Sequence, residues 1–429
     1  MVKLQYIIEI SWLPLSNWYL FLGVDGISIF FILLTTLLFP ICILACWNSI
    51  QDNVRIYFAC FLSIEILLVL VFSVIDLLWF YIFFEGVLIP IFIIIGYWGS
   101  RERKIRAAYL FFLYTLVGSL LLLGCLIYIS IVVGSTDYEV VSRYSFTIIE
   151  ERWLWLGFFA SFATKVPILP FHIWLPEAHV EAPTAGSVLL AGVLLKLGTY
   201  GFIRFSLPLF PHASVYYTPI VFVLAIAGVI YASITAIRIT DLKRIIAYTS
   251  VAHINLVVLG IFSLTLVGLE GAILQSLSHG FVSSALFLII GVLYDRHHTR
   301  MLKYYGGLVH LIPLFTIIFV FFSIANIALP GTSSFIGEFL LLTGIFQANP
   351  LICFFGATGI ILGGAYSLWL LNRVVYGNLK TQHLQKIIDI SRIEIYIFSP
   401  LIIGTLIIGF LPNIFLSPIN ASVSNIFVL

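Results

Sequence analysis

Long apolar runs dominate this chain. Residues 27–47 and 107–133 are two of many stretches long enough to cross a bilayer core of roughly 30 Å, which takes about 20 helical residues. Hydrophobic residues make up 62% of the 429 positions and charged residues 9%, whereas about a quarter of a soluble domain is charged. A water-soluble core cannot absorb that much apolar surface. The sequence therefore predicts an all-α integral membrane protein.

Hydropathy and helix-breaking residues together predict about twelve transmembrane helices. The predicted spans lie near residues 22–47, 56–75, 77–98, 107–133, 153–171, 185–206, 215–237, 245–265, 270–294, 308–346, 351–372 and 396–416.

The basic residues alternate between the loops that these spans define. Of the 21 Lys and Arg residues, 15 fall in odd-numbered loops, and the even-numbered loops hold only Arg143 and Arg152. The positive-inside rule therefore predicts that the odd loops face the cytoplasm or the mitochondrial matrix, with both termini on the other side. The net charge of +2 gives no basic excess that would favour nucleic acid as a partner. The odd-loop residues are Arg55, Arg101, Arg103, Lys104, Arg106, Arg238, Lys243, Arg244, Arg296, Arg300, Lys303, Arg373, Lys380, Lys386 and Arg392.

Two of the spans carry helix breakers at membrane depth. Proline residues interrupt the segment 165–170, and Pro330-Gly331 interrupts the long segment 308–346. Irregular backbone persists there only where it is buried in protein or lines a wet cavity, and paired broken helices are typical of inverted repeats. We expect an N-terminal segment with the first helix at 1–55, five-helix repeats at 56–206 and 207–372, and a C-terminal loop and helix at 373–429.

A few ionisable residues lie deep inside the predicted spans. A charged side chain at a helix centre costs about 2.5–3.5 kcal/mol on insertion scales, so each should face a partner or water, and such residues are functional by default. Imidazole titrates near neutral pH, which suits a proton relay. The residues are Glu65, Glu85, Lys165, Lys196, His253, His279 and Glu338.

Each of these residues also has a structural interpretation. Glu85 could be satisfied by neighbouring helices, and Lys165 could extend its amine to the membrane surface. Lys196 could pair with Glu177 or Glu181, and a buried histidine is often simply hydrogen-bonded. Central depth and the adjacent helix breaks favour proton transfer for Glu85, Lys165, Lys196 and Glu338. For His253 and His279, a proton relay and a structural hydrogen bond stay equally open. Glu65 has no break or lysine beside it and is ranked as an accessory acid.

The chain lacks the usual signatures of cofactor chemistry. Its five cysteines form no metal-ligand spacing, neither histidine has a second ligand four residues away, and no phosphate or dinucleotide motif is present. We therefore expect no metal, redox cofactor or ATP in this chain. The N-terminal sequence does not read as a removable signal peptide.

Long ordered motifs give the chain a specific resemblance. From about residue 5 to the C-terminus it resembles the antiporter-like subunits of proton-pumping NADH:ubiquinone oxidoreductase (respiratory complex I), especially the subunit 4 group of plant and algal mitochondria. The motifs are FEGVLIP at 84–90, KVP at 165–167, HIWLPEAHVEAPTAGS at 172–187, LKLGTYG at 195–201, SHG at 278–280 and PGTSSFIGE at 330–338.

The resemblance implies two inverted five-helix repeats in the membrane arm and proton translocation coupled to electron transfer from NADH to ubiquinone. Glu85 and Lys165 would form a modulating ion pair, Lys196 the central relay and Glu338 the terminal residue, with His253 and His279 on the connecting axis. Such relatives usually carry two further helices before the segment matching residues 22–28, and we expect this chain to lack them.

The resemblance also implies the setting of the chain. It would be a multi-pass protein of the mitochondrial inner membrane, with its basic loops in the matrix and both termini in the intermembrane space. Its partners would be other complex I subunits, notably the antiporter-like subunits 2 and 5, and lipids that include cardiolipin. NAD, FMN, iron–sulfur clusters and ubiquinone would belong to partner subunits, so NADH:ubiquinone reductase activity would reside in the whole complex.

Three other classes of function are open at this point. A subunit of a multi-subunit sodium/proton antiporter would share the fold and the same glutamate and lysines. A twelve-span solute carrier fits the helix count, although such carriers usually have a long central loop. A membrane scaffold is disfavoured, because four buried charges would raise its insertion cost although a scaffold has no function for them.

Overall fold

The computed structural model describes residues 5–13, 18–47, 49–380 and 388–426. Nearly all of this part of the chain is helical, preceded by one antiparallel hairpin of strands β1 (Gln5–Leu13) and β2 (Trp18–Val24). The helices are α1 Ser28–Cys46, α2 Val54–Ser73, α3 Leu77–Gly86, α4 Leu88–Trp98, α5 Lys104–Val133, α6 Tyr138–Arg143, α7 Ile148–Lys165, α8 Trp174–Glu181, α9 Thr184–Leu209, α10 Pro211–Arg238, α11 Leu242–Phe262, α12 Leu266–His297, α13 Pro313–Asn326, α14 Ser333–Ala348, α15 Pro350–Val374, α16 Arg392–Phe410 and α17 Asn413–Ile426.

The long helices have the length and composition of membrane spans. Within the described residues, ten helical segments are long and apolar enough to cross a bilayer, α3 and α4 together forming one of them. The shorter helices α13 and α14 are also apolar. An all-α membrane protein is therefore confirmed, with a small β-hairpin that the sequence did not predict.

Capping side chains explain where several helices begin. The carboxylate of Asp25 accepts hydrogen bonds from the backbone N–H groups of Ile27 and Ser28, at 3.1 and 2.8 Å. This arrangement starts α1 at Ser28, several residues after the predicted start near residue 22. Asp76 caps α3 in the same way, and Asp241 caps α11.

Both predicted helix breaks are present. The helix α7 ends at Lys165, and the chain returns to helix at Trp174 after a 3-10 turn. The second break separates α13 from α14 between Asn326 and Ser333. Gly331 has a φ of 93° there, in the left-handed region that glycine adopts without strain.

The helices divide into an inner and an outer group. Helices α9, α11 and α12 are almost wholly buried, whereas α5, α15 and α16 expose most of their apolar surface. Helix α12 packs against α9, α11 and α14, so it lies at the centre of the molecule. Polar groups on the inner helices are therefore shielded from lipid by the outer helices.

Candidate functional site

Four of the predicted residues form one buried row across the inner helices. The amine of Lys196 lies 2.9 Å from Nδ1 of His279, and the rings of His279 and His253 are 5.9 Å apart between centroids. At the far end, Nδ1 of His253 lies 3.1 Å from Oε1 of Glu338. Lys196, His279 and Glu338 are each less than 5% exposed. Each of the four side chains in the row can both bind and release a proton.

Each member of the row comes from a different helix. Lys196 lies on α9, His253 on α11, His279 on α12 and Glu338 on α14. Just before Lys196, residues 190–194 form a π-helical turn, a feature that is frequent at functional sites. The Lys196 amine donates to the carbonyl of Ala191 in this turn. The local sequence thus supplies the lysine with an acceptor inside its own helix.

Glu85 and Lys165 form a separate ion pair. The Lys165 amine lies 3.7 Å from Oε1 of Glu85, which is longer than a hydrogen bond. The amine also lies 3.5 Å from the carbonyl oxygen of Phe84 and 4.3 Å from the centre of its ring. Lys165 is 3% exposed, so its charge is held by Glu85 and Phe84 and does not extend to the membrane surface. Such a loose pair can open without breaking a short hydrogen bond.

The ion pair and the row are linked by close packing of α7 and α9. A Cβ atom at Gly198 would lie 2.4 Å from Cγ2 of Val166 and 2.9 Å from the carbonyl oxygen of Phe162. Val166 follows Lys165 directly, and Gly198 lies two residues after Lys196. A shift of the backbone at the first helix break would therefore reach α9 beside Lys196.

Glu65 lies outside both groups. It has intermediate exposure on α2, between the outward-facing Leu62 and Ile66, which are 51% and 62% exposed. Glu177, which was considered as a partner of Lys196, pairs with Arg244 instead.

The sequence analysis missed two residues that contact the row. Gln275 donates from Nε2 to Oε1 of Glu338 at 3.1 Å and is 1% exposed. The hydroxyl of Tyr366 lies 3.4 Å from Nε2 of His253. Gln275 lies one helical turn before His279, and a polar residue at that spacing in an apolar span is a signal that could have identified it.

A third missed residue is His179 on α8. It is fully buried, neither ring nitrogen has a hydrogen-bond partner, and its ring stacks on Phe287 at 4.7 Å. It lies within electrostatic range of both Lys196 and Lys243. His179 is therefore near Lys196, which belongs to the row, and near Lys243, which does not.

A second ion pair lies further along α9. Nη1 of Arg204 contacts Oδ2 of Asp25 at 2.6 Å, and the guanidinium lies 5.6 Å from the ring centre of Tyr138. Burial alone would raise the pKa of Asp25, but the charge of Arg204 and local hydrogen bonds outweigh burial and lower it. The pair ties the start of α1 to α9, and the sequence analysis missed it because Arg204 lies near the end of its span.

Within residues 5–13, 18–47, 49–380 and 388–426, no group of three or more His, Cys, Asp or Glu side chains could hold a metal ion.

Comparison with known proteins assigns the family. The profile of the family described as NADH:quinone oxidoreductase/Mrp antiporter, transmembrane, matches residues 74–363. NADH-ubiquinone oxidoreductase chain 4 of Marchantia polymorpha is 56% identical over 424 residues, which cover 99% of this chain and 86% of the relative. The chain 4 protein of Chondrus crispus is 57% identical over 425 residues, with the same coverage. This chain belongs to the NADH-ubiquinone oxidoreductase chain 4 family.

Solved structures share the fold of this chain 4 family member. A chain of respiratory complex I from Thermus thermophilus with bound NADH superposes with a TM-score of 0.90 at 29% identity, covering 98% of this chain and 89% of that one. A chain of the Mrp complex from Dietzia sp. gives a TM-score of 0.84 at 19% identity, covering 98% and 87%. The similarity to the Mrp chain shows only that the two chains share a fold. The family profile includes Glu85, Lys165, Lys196, His253, His279 and Glu338 within its matched range.

Proposed function

We propose that this chain is a proton-translocating subunit in the membrane arm of NADH:ubiquinone oxidoreductase, with the row from Lys196 to Glu338 as its proton path. The observation that carries the proposal is the row itself. Four ionisable side chains on four different helices meet in the shielded centre of the protein, through contacts of 2.9 and 3.1 Å at its two ends. Burying these groups is costly, and a relay explains why they lie together.

The row can pass a proton by successive transfers. The Lys196 ammonium donates to Nδ1 of His279, which leaves a neutral amine and an imidazolium. The opposite nitrogen of His279 then releases a proton toward His253, across the 5.9 Å that separates the ring centroids. Rotation of a ring or one bridging water covers this step. Nδ1 of His253 finally delivers the proton to Glu338 at 3.1 Å.

The pair of Glu85 and Lys165 is the element that drives the row. An opposite charge nearby favours the charged form of a lysine, so separating Glu85 from Lys165 favours release of the lysine proton. A charge movement in a neighbouring subunit would cause the separation. The close contact of Val166 with Gly198 supports transmission of that movement to α9.

The architecture supports an inverted-repeat interpretation of this mechanism. We propose repeats at 56–206 and 207–372, in which the break after Lys165 corresponds to the break before Glu338. Helices α7 and α14 each place an ionisable residue beside a helix interruption. In this arrangement the two repeats would supply opposite ends of the path.

The setting of the chain follows from the same proposal. The basic loops would face the mitochondrial matrix, and both termini would face the intermembrane space. Antiporter-like subunits 2 and 5 would be its neighbours, with cardiolipin among the surrounding lipids, and the NAD, FMN, iron–sulfur and ubiquinone sites would belong to other subunits. The antiporter alternative has support from the shared fold alone.

The test compares variants of the ion pair with a matched acid. The complex containing Glu85→Gln or Lys165→Ala is reconstituted in liposomes, and NADH:quinone turnover and proton uptake are measured together. We expect both to fall at least about tenfold, which corresponds to roughly 1.4 kcal/mol. Glu65→Gln, which changes an intramembrane acid outside the row, should retain both activities. Unchanged NADH:quinone turnover and proton uptake in both ion-pair variants would refute the proposal.

A further inference from the structure

A large cavity opens at the end of the protein where the basic loops gather. Its volume is about 470 Å³, within the size range of ligand pockets. It is separate from the proton row, and Trp98, Ser100, Thr184, Lys243, Asp295 and Arg300 are among its lining residues. Tryptophan, hydroxyl and cationic side chains at this depth are typical of the membrane interface.

The two cations of the cavity are unusually buried. Lys243 is 5% exposed and Arg300 is 2% exposed. Within the described residues, neither forms an ion pair within 4.0 Å. Each donates instead to one backbone carbonyl at the end of α8, Lys243 to Ala182 and Arg300 to Val180. Their charges are thus compensated by helix-end carbonyls and by more distant acids.

Arg300 has hydrogen-bonding capacity that the protein does not use. Its Nε and one terminal nitrogen, Nη2, are buried without a hydrogen-bond partner. Burial lowers the pKa of the Arg300 guanidinium, which indicates that the surrounding charges do not fully replace water. An unpaired buried donor costs roughly 1–3 kcal/mol and more when charged, so a ligand that accepts from it would be stabilised.

The nearby acids do not hydrogen-bond to the unpartnered nitrogens of Arg300. Asp241 is engaged at the start of α11, where its carboxylate accepts from backbone N–H groups and lies 3.9 Å from Arg101. Glu181 is buried near both basic side chains and acts on them through its charge, without forming an ion pair within 4.0 Å among the described residues. Asp295 is the one acid that lines the cavity, beside Lys243, Arg300 and His298. Neither Nε nor Nη2 of Arg300 therefore receives an acceptor from these acids.

We propose that this cavity binds the phosphate group of an anionic ligand, either a phospholipid headgroup or free phosphate. A guanidinium with two unpartnered donor nitrogens, Nε and Nη2, matches the geometry of phosphate oxygens. Lys243 adds a second basic side chain to the lining, and Ser100 and Thr184 add hydroxyl groups. A bound phosphate would also hold together the ends of α8, α11 and α12, which surround the cavity.

The experiment measures protection of a single thiol in the purified complex. Ser100→Cys places the thiol at an exposed position of the cavity wall, and Cys42 and Cys46 are buried. The complex is delipidated in detergent and treated with a maleimide, and labelling of the peptide is followed by mass spectrometry. Phosphatidylglycerol, diacylglycerol and inorganic phosphate are added in separate arms. The same arms are run with Arg300→Gln and with Arg103→Gln, a basic residue on the exposed surface of the same end.

Phosphate chemistry predicts a specific pattern of protection. A phosphate-bearing ligand at about ten times its Kd should slow labelling about tenfold. Arg300→Gln should abolish this protection, whereas Arg103→Gln should retain it. Protection by phosphatidylglycerol alone identifies a lipid headgroup, and protection by inorganic phosphate identifies a site for the free ion as well. Equal protection by diacylglycerol, protection that survives Arg300→Gln, or no protection in any arm overturns the proposal.

Discussion

Gln275 donates a hydrogen bond to Glu338 across 3.1 Å, at the same carboxylate oxygen that His253 approaches to 3.1 Å. One oxygen of the terminal acid therefore contacts two side chains, of which the imidazole can carry a proton and the amide cannot. Gln275 is accordingly a positioning residue, which holds the carboxyl group of Glu338 beside His253.

Replacing Gln275 should slow pumping. Gln275→Leu removes a buried hydrogen bond to Glu338, and leaving a buried polar group without its partner costs about 1–3 kcal/mol. We expect the rate of proton uptake to fall about tenfold, because the carboxyl group of Glu338 is no longer held beside His253. NADH-driven proton uptake and the amount of assembled complex are measured in proteoliposomes.

Ser276→Ala is the matched control for this prediction. Ser276 is buried on the same helix, but its hydroxyl donates within that helix to the carbonyl of Ala272. It should leave the rate of proton uptake unchanged. A fall in proton uptake in Gln275→Leu that only matches a fall in assembled complex would show that the amide has a structural role only.

Replacing His253 in the middle of the row should reduce proton pumping more than it reduces the amount of assembled complex. Among the described residues, Glu338 has hydrogen-bond or ion-pair distances to Gln275 and His253, and His253→Leu removes the one of these partners that can carry a proton. We expect proton uptake to fall at least about tenfold, a barrier increase of roughly 1.4 kcal/mol. Proton uptake and the amount of assembled complex are measured in parallel.

The control for that variant is a histidine outside the row. His310 is exposed on a short 3-10 turn before α13, so His310→Leu should leave pumping intact. Full pumping in His253→Leu would exclude the histidine from the path.

The sequence indicates candidate site residues but not their connections. Intramembrane charge is costly and easy to find in apolar runs, so depth and the adjacent helix breaks select Glu85, Lys165, Lys196 and Glu338 as candidates. Depth does not show which groups touch. The contact between Lys196 and His279 joins residues 83 positions apart, and only the packing of α9 against α12 creates it.

Other features depended on local geometry that hydropathy does not report. The hairpin of β1 and β2 precedes the first apolar run, and the start of α1 is fixed by the carboxylate of Asp25. Gln275 carries no charge, so an analysis of charge alone passed over it. The helix breaks were predictable because proline and glycine act through the backbone, whatever the tertiary contacts.

The contact between α7 and α9 should be sensitive to side-chain volume. Gly198→Ala would place a Cβ 2.4 Å from Val166 and 2.9 Å from a backbone oxygen, and overpacking of this kind costs typically 1–3 kcal/mol. We expect less assembled complex and lower residual activity after heating. Gly124→Ala adds the same methyl group where nothing lies within 4 Å, and it should behave as the unaltered protein. Equal heat resistance of the two variants would mean that α7 and α9 adjust freely.

The ion pair of Arg204 and Asp25 should show strong coupling in a double-mutant cycle. Removing one partner of a buried pair costs about 3–5 kcal/mol because the other charge is left uncompensated, whereas replacing both with apolar groups is often neutral. Arg204→Met and Asp25→Leu should therefore each reduce the temperature of half-inactivation of the complex, and the double variant should recover much of the loss. Asp25 also caps α1 through the Ile27 and Ser28 N–H groups. The double variant should therefore remain about 1 kcal/mol less stable than the unaltered protein. Additive losses would show that the two charges do not depend on each other, and that Asp25 acts through the cap alone.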